Sequence, residues 1–241
     1  MASVRPDAVL KVGGSLYRRP RRLRKLMTAL GALAPQQNLV VVPGGGLFAE
    51  QARRTDRRFA LDPSSSHWMA ILAMDQSAYL LRHLADGAVL MRRPEEVLAG
   101  RLNVLAPSAW LLQEDPLPHS WSVTSDSIAA WVARALGARR LVLLKSVDGV
   151  LEARGTHAGL HRIRPQATRH QLGEIVDAHF ALALSPEISC WIVSGTRPER
   201  VATLLATGST YGTEVISRAQ QPWPPRLGHA DTGRAMRRAR G

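Results

Sequence analysis

Short apolar runs alternate with longer stretches of helical periodicity along most of the chain. The apolar runs predict β-strands at 8–12, 38–42, 88–91, 102–105, 140–144, 189–193 and 213–216. Between them, apolar residues three or four positions apart predict helices near 20–33, 47–58, 67–85, 126–137, 169–182 and 198–206. Apolar strands separated by helices indicate a mainly parallel sheet that is covered on both faces. The pattern therefore predicts an α/β fold.

Length and composition fit one folded domain. The chain has 241 residues, of which 45% are hydrophobic, and this is enough to bury a large core. No run approaches the roughly 18 apolar residues of a membrane span, and the first residues lack the apolar core of a signal peptide. We therefore expect a soluble, cytoplasmic protein. Its one cysteine, Cys190, lies in an apolar run and is expected to be a buried structural thiol.

The formal net charge of +13 is concentrated in two short segments. Residues 18–25 contribute +6, and residues 218–241 contribute +5. The second segment is rich in Pro, Arg and Gly, which predicts a disordered tail after a domain over 1–217. Because neither segment interleaves aromatic residues with its charges or carries a nucleic-acid motif, we expect no specific nucleic-acid partner.

Glycines follow two of the predicted strands, at the edge where parallel sheets bind ligands. The first strand ends in Lys11, Val12 and then Gly13, Gly14 and Ser15; the second is followed by Gly44, Gly45 and Gly46. Glycine lets backbone N–H groups approach an anion, and a following helix N-terminus favours negative charge. Both loops are candidate phosphate cradles, although neither matches the common nucleotide-binding motifs and glycines also serve ordinary turns.

Two further segments offer charged groups at the same edge. Asp126 lies in the first turn of a predicted helix, where it either caps the helix with Thr124 or Ser125 or faces the site. Lys145 ends a strand and precedes a turn at Asp148 and Gly149. This lysine either neutralises phosphate oxygens or is merely exposed. Only three of the 32 basic residues are lysines, and two of them end these strands.

The segments KVGGS, PGGG, TSDSIAAWVA and LLKSVDGV, in this order and spacing, resemble the amino acid kinase family. The resemblance runs from about residue 8 to residue 216 and implies a three-layer αβα sandwich with a central, mainly parallel sheet. It also implies an ATP-dependent kinase that uses Mg²⁺, acts on a small-molecule substrate and forms a homo-oligomer without a membrane partner.

The resemblance implies a role for each motif. Lys11 would stabilise the transferred phosphoryl group, and Asp126 would orient the active-site lysines. The nucleotide would contact the first loop and the turn after the fifth strand, that is, Gly13, Gly14, Ser15, Lys145, Ser146, Asp148 and Gly149. The loop Gly44–Gly46 would face the acceptor substrate. No protein metal ligands are expected, because Mg²⁺ would be held mainly by phosphate oxygens.

Residues 66–81 and 117–131 resemble the branch of this family that phosphorylates an aminomethylfuran phosphate in methylofuran synthesis. That resemblance implies an acceptor site that includes His67, Trp68, Asp75, Trp121 and Thr124. From the residues alone, His67 is expected at a helix start or in the core, and both tryptophans are expected in the core. Asp75 lies beside an apolar helix face assigned to Ile71, Leu72 and Tyr79, and it is either solvated at the edge, paired, or directed at a ligand.

The chain departs from the family at one position. Several members carry a second catalytic lysine after the strand that corresponds to 189–193, whereas this chain reads Ser194, Gly195, Thr196 and Arg197. Either Arg197 or Lys145 supplies that charge, or the protein is a non-catalytic relative that binds a nucleotide or anion. Isopentenyl phosphate and acyl amino acids are the alternative acceptors.

Overall fold

Residues 4–148, 161–163 and 175–215 are described here from a computed structural model of the chain. Eight strands form one sheet: β1 (Ala8–Val12), β2 (Leu39–Pro43), β3 (Val89–Met91), β4 (Leu102–Leu105), β5 (Arg140–Lys145), β6 (His161–Ile163), β7 (Ser189–Ser194) and β8 (Thr213–Val215). The α-helices are α1 (Pro20–Leu33), α2 (Gly46–Phe59), α3 (Pro63–His83), α4 (Ser108–Glu114), α5 (Ser125–Ala135), α6 (Phe180–Ala183) and α7 (Pro198–Thr207). Short 3-10 helices cover Gly14–Arg18 and Pro94–Glu96.

The sheet has the order β3-β4-β2-β1-β5-β7-β8-β6. Every neighbouring pair is parallel except β7 and β8, which are antiparallel. The strands before β5 lie on one side of β1, and the described strands from β5 onward lie on the other. The carboxyl ends of β1, β2, β5 and β7 therefore meet at one edge, next to the point where the winding of the sheet reverses direction.

Two apolar clusters cover the two faces of the sheet. On one face, Val9 and Leu141 pack with α5 and much of α3. On the other, Leu10 and Val142 pack with α1, α7 and the last turns of α3. Alternate residues of one strand enter opposite clusters because side chains point to opposite faces. This arrangement confirms the expected αβα sandwich.

Sequence periodicity located most elements correctly, with boundaries that differ by at most four residues. The strand β6 and the helix α4 were not predicted, because three residues and seven residues are too short to show a period. The helix predicted over 169–182 lies partly outside the described residues, and within them the chain is α-helical only at Phe180–Ala183. The predicted tail, 218–241, also lies outside them.

Cys190 is fully buried in β7, which confirms a structural position for its thiol. None of the helices in the described part of the chain has the length and apolarity that a membrane crossing requires.

Candidate active site

Two lysines share one buried carboxylate at the carboxyl edge of the sheet. Lys11 Nζ lies 2.8 Å from Asp126 Oδ1. Lys145 Nζ lies 2.9 Å from Asp126 Oδ1 and 2.7 Å from Oδ2. The side chains of Lys11 and Asp126 are each 5% exposed, and that of Lys145 is 13% exposed. The three residues, called here the lysine–aspartate cluster, carry a net charge of +1 in a site that water barely reaches.

The charged groups of the cluster shift the pKa values of Asp126 and Lys145. Burial alone would raise the pKa of the Asp126 carboxyl, but Lys11 and Lys145 hold it below its usual value. Burial and the nearby Lys11 ammonium lower the pKa of Lys145 to about 8, although Asp126 acts in the opposite direction. Two ammonium groups this close together strongly attract an anion that carries more than one negative charge.

Strand register places the two lysines together. Lys11 is paired with Leu143, two residues before Lys145 on the neighbouring parallel strand, so both side chains point to the face covered by α5. The position paired with Lys145 on β7 is Ser194. Two of these three neighbouring strand ends therefore carry an ammonium group over the same face.

The start of α5 explains why Asp126 is free to bind lysines. Thr124 is the N-cap residue, but its side chain makes no capping bond. Instead, the carboxylate of Asp177 accepts hydrogen bonds from the backbone N–H groups of Thr124 and Ser127, at 2.9 Å and 3.0 Å, and from both hydroxyls. Asp177 thus provides the cap that the sequence suggested Thr124, Ser125 or Asp126 would supply. No local pattern could have revealed it, because it lies 53 residues away.

The two glycine loops touch each other through their backbones. A Cβ atom built on Gly44 would lie 2.8 Å from Gly14 N and from Val12 O, and one on Gly13 would lie 2.7 Å from Leu144 O. Gly46 has a φ of +53° and lies against the Tyr17 ring. Side chains are excluded by this close approach, so both loops present backbone groups beside the start of α2.

A cleft of about 520 Å³ lies beyond β5 and β7. Its lining residues, called here the cationic cleft, are Arg19, Arg22, Lys25, Ser146, Asp148, Thr196, Arg197 and Glu199. The hydroxyl of Ser15 donates a hydrogen bond to Ser146 at 3.0 Å, which ties the first glycine loop to this cleft. Of the predicted nucleotide-binding residues, only Gly149 lies outside the described part of the chain.

A second cleft, of about 280 Å³, lies between the far end of α2, the start of α3 and the segment before α5. Its lining residues, called here the aromatic cleft, are Asp56, Leu61, Pro63, Ser66, His67, Ala70, His119, Ser120, Trp121 and Val123. Asp56 accepts hydrogen bonds from Ser66 Oγ and Trp121 Nε1, both at 2.7 Å, and these bonds lower the pKa of its carboxyl. The Arg53 guanidinium lies 4.4 Å from the centre of a Trp121 ring.

Two histidine rings form one wall of the aromatic cleft. His67 stacks on His119 with ring centres 4.3 Å apart and planes 20° apart, and Trp68 meets both rings edge-on. Burial and the neighbouring His119 lower the pKa of His67 to about 4, so this ring is neutral at pH 7. His119 was missed as a site residue, although it lies in the same segment as Trp121.

These histidines and Asp115 are the one group in the described residues with spacing suited to a metal ion, their ligand atoms lying within 4.8 Å of one another. Both nitrogens of His119 already have partners, Asp115 at 2.9 Å and Ser64 at 2.8 Å. Because imidazole lone pairs lie in the ring plane, two nearly parallel stacked rings do not direct them at one ion. The geometry favours a stacked wall rather than a metal centre.

Asp75 lies outside the aromatic cleft. It accepts hydrogen bonds from the backbone N–H of Ser108, at 3.1 Å, and from the Ser108 hydroxyl, and so caps the start of α4. The expected apolar face of its helix is corrected as well: Ile71 is buried, but Leu72 and Tyr79 are 50% and 55% exposed. The buried face continues instead through Met74, Ala78 and Leu81.

Arg197 and Lys145, the two candidates to replace the absent second lysine, lie in different surroundings. Arg197 is 61% exposed at its side chain and lies 4.0 Å from Glu199, in the cationic cleft. Lys145 instead binds both oxygens of Asp126. The structure therefore places the second cation of the lysine–aspartate cluster on β5.

Comparison with known proteins agrees with this architecture. The sequence pattern described as "Amino acid kinase family" matches residues 8–91 and 94–181. The chain is 28% identical over 214 residues to the [5-(aminomethyl)furan-3-yl]methyl phosphate kinase of Methanocaldococcus jannaschii, covering 86% of this chain and 97% of the relative. It is 23% identical to an acetylglutamate kinase from a Shewanella species, covering 86% of this chain and 96% of that one.

The fold also matches a solved structure. Uridylate kinase from Archaeoglobus fulgidus superposes with a TM-score of 0.66 at 22% identity, covering 87% of this chain and 100% of that one. The family match spans both glycine loops, the lysine–aspartate cluster and the start of α5. The chain is therefore a kinase and belongs to the amino acid kinase family.

Proposed function

We propose that this kinase transfers the γ-phosphoryl group of ATP to the phosphate of a small phosphorylated acceptor, [5-(aminomethyl)furan-3-yl]methyl phosphate. The observation that carries the phosphoryl-transfer step is the pair of lysines on Asp126, next to two glycine loops. The acceptor is supported by the similarity to the Methanocaldococcus jannaschii kinase over nearly its whole length. We place the reaction in the cytoplasm, and the catalytic domain in residues 1–217.

In this reaction an oxygen of the acceptor phosphate attacks the γ-phosphorus of ATP, and the bond from that phosphorus to the β-phosphate oxygen breaks. The products are ADP and the acceptor diphosphate. An acceptor phosphate is already an anion, so the step needs no general base. Catalysis then consists of positioning and of neutralising charge on the transferred group.

The lysine–aspartate cluster fits that requirement. Lys11 and Lys145 supply two positive charges, and Asp126 fixes the position of both ammonium groups. In a site this dry, an ammonium acts more strongly on a developing negative charge than it would in water. The N–H groups of Gly13 and Gly44 already donate to Leu144 O and Val12 O, both at 2.8 Å. Gly14, Gly45 and Gly46 would therefore supply backbone N–H groups to the phosphates, and Mg²⁺ bound with the nucleotide would add positive charge there.

The aromatic cleft fits the rest of the acceptor. Trp121 and the stacked histidines provide walls for a flat ring, and Trp68, which does not line the cleft, packs edge-on against both histidine rings. Thr124 follows directly on the segment that contains Trp121. A substrate ammonium needs a carboxylate, and Asp56 lines the cleft whereas Asp75 does not. We therefore assign the ammonium contact to Asp56.

The test is turnover of the full-length protein with MgATP and a panel of acceptors. We expect the aminomethylfuran phosphate to be converted to its diphosphate, detected by ³¹P NMR and by ADP release. Acetylglutamate, aspartate, uridylate and isopentenyl phosphate should react more slowly. Faster turnover of isopentenyl phosphate would overturn the acceptor assignment alone. No turnover of any acceptor by protein that binds ATP would support a non-catalytic nucleotide-binding role.

The expected homo-oligomer has a candidate surface on α3. Leu72, Tyr79 and Leu80 are exposed along this helix, at 50%, 55% and 37%. We propose that a second copy covers this face. Light scattering should give twice the monomer mass for the native chain, and a Leu72→Glu variant should shift the mass towards the monomer.

A further inference from the structure

The cationic cleft contains three basic residues to which the proposed reaction assigns no role. Arg19, Arg22 and Lys25 lie three residues apart at the start of α1, so they share one side of that helix. We call these three residues the basic stripe. They come from the segment that supplies nearly half of the net charge. Part of this strongly charged segment therefore lines a cleft.

The basic stripe is unpaired within the part of the chain that the structure describes. The two acidic residues of the cleft are already engaged: Asp148 accepts a hydrogen bond from Arg200 at 2.7 Å, and Glu199 lies near Arg197. Three neighbouring cations without an acidic partner repel one another. An anion in the cleft would remove that repulsion.

The lining of the cationic cleft indicates which kind of anion fits. All of its lining residues in the described ranges are charged or carry a hydroxyl group, and none is apolar or aromatic. Flat organic rings are usually bound by apolar or aromatic walls, whereas phosphates are bound by guanidinium, ammonium and hydroxyl groups. The chemistry of this lining therefore matches a chain of phosphates better than a nucleobase.

The cleft also continues the first glycine loop. Ser15 of the loop bonds to Ser146 of the cleft, and Arg19 follows the 3-10 helix that begins at Gly14. From Arg19 to Lys25, α1 advances roughly 9 Å at 1.5 Å per residue. This length can follow several linked phosphate groups.

We propose that the basic stripe binds the polyphosphate chain of the phosphoryl donor, so that the enzyme selects its donor by phosphates and reads the base weakly. The inference rests on the proposed function, because it concerns the donor of the same reaction. The stripe would act in binding the donor, whereas the lysine–aspartate cluster acts on the transferred group.

The experiment uses inorganic tripolyphosphate, which has phosphates and no base, as the probe in calorimetric titrations of the full-length protein. We expect an Arg22→Ala/Lys25→Ala variant to bind it about tenfold more weakly or worse, because each phosphate contact is a charge-assisted hydrogen bond. The matched control is Arg21→Ala/Arg24→Ala, which removes the same net charge from exposed positions on the same helix that do not line the cleft. The control should change the affinity less than about twofold.

Equal weakening in both variants would overturn the proposal, since it would reduce the effect to overall charge. No weakening in either variant would overturn it as well. In a second measurement, GTP, UTP and ATP should bind with similar affinities, and a strong preference for one base would contradict weak reading of the base. Binding is measured without an acceptor, so a protein that binds tripolyphosphate through the stripe but phosphorylates nothing would refute only the proposed function.

Discussion

The two clefts of this kinase are lined by chemically different groups. The cationic cleft is lined by charged and hydroxyl groups, whereas the aromatic cleft combines rings, aliphatic side chains and one carboxylate. The lysine–aspartate cluster adjoins both in sequence: Ser146 of the first cleft follows Lys145, and Val123 of the second precedes Asp126 by three residues. Under the proposed function, charge would select the donor and shape would select the acceptor, while one buried cluster would serve both.

The largest expected effect comes from the cluster itself. Lys11→Ala should lower kcat by about a hundredfold or more, because it removes a charge that stabilises the transferred group. Lys11→Arg should also be poor, since a guanidinium does not fit the space of a buried ammonium. Steady-state kinetics with both substrates, alongside thermal melting to verify folding, provides the measurement. An arginine variant with near-native kcat would show that only charge matters here.

The second effect is a pH dependence that belongs to the cluster and to neither cleft. Because the pKa of Lys145 is lowered to about 8, the free enzyme holds its second cation below that pH and loses it above. We expect kcat/KM to fall above pH 8, by about tenfold per unit at the limit. Lys145→Arg should have lower activity but keep its charge, so the falling limb should move to higher pH. An unchanged limb would assign it to another group.

The third effect distinguishes Asp56 from Asp75 as the carboxylate that contacts the substrate ammonium. Asp56→Asn should raise KM for the aminomethylfuran phosphate about fivefold, as expected for a partly exposed ion pair, and leave KM for a deaminated analogue nearly unchanged. KM for ATP should not move, because the change is confined to the aromatic cleft. Asp75→Asn is the control, and it should leave both acceptor KM values unchanged. The reverse result would return the ammonium contact to Asp75.

The smallest effect is expected from the tail. Deletion of residues 218–241 should leave kcat, both KM values and the melting temperature nearly unchanged, since that segment has too little apolar content to join a core. Thermal melting and steady-state kinetics on the shortened chain provide the measurement. A drop of several degrees would indicate that Trp223 or its neighbours pack against the domain.

Local patterns predicted the sheet and most helices because a buried strand and an amphipathic helix each repeat within a few residues. The proximity of Lys11, Lys145 and Asp126 followed from the family resemblance, since periodicity alone left each with an ordinary alternative. The cap from Asp177 and the pairing of Asp75 with Ser108 depend on contacts between distant segments. No pattern within one element can predict such contacts.

The basic stripe is an intermediate case. Its spacing of three residues was visible in the sequence, and a helix was predicted there. What the sequence did not show was that this side of α1 lines a cleft beside Ser146, because that depends on how α1 packs across β5 and β7. Charge counted along the chain predicted no specific nucleic-acid partner for this segment, whereas its position in the fold supports the proposed phosphate ligand.

The pairing of Lys145 with Ser194 has a consequence for how such a site can diverge. The two positions lie on adjacent strands roughly 4.8 Å apart, over the same face, so a lysine on either one can extend its ammonium to nearly the same point. The family resemblance implies a lysine near the second position in several members. Exchange between the two arrangements would then pass through an ancestor that carried both lysines. In that ancestor the second positive charge would never be lost, and the cost would be the repulsion between two neighbouring ammonium groups.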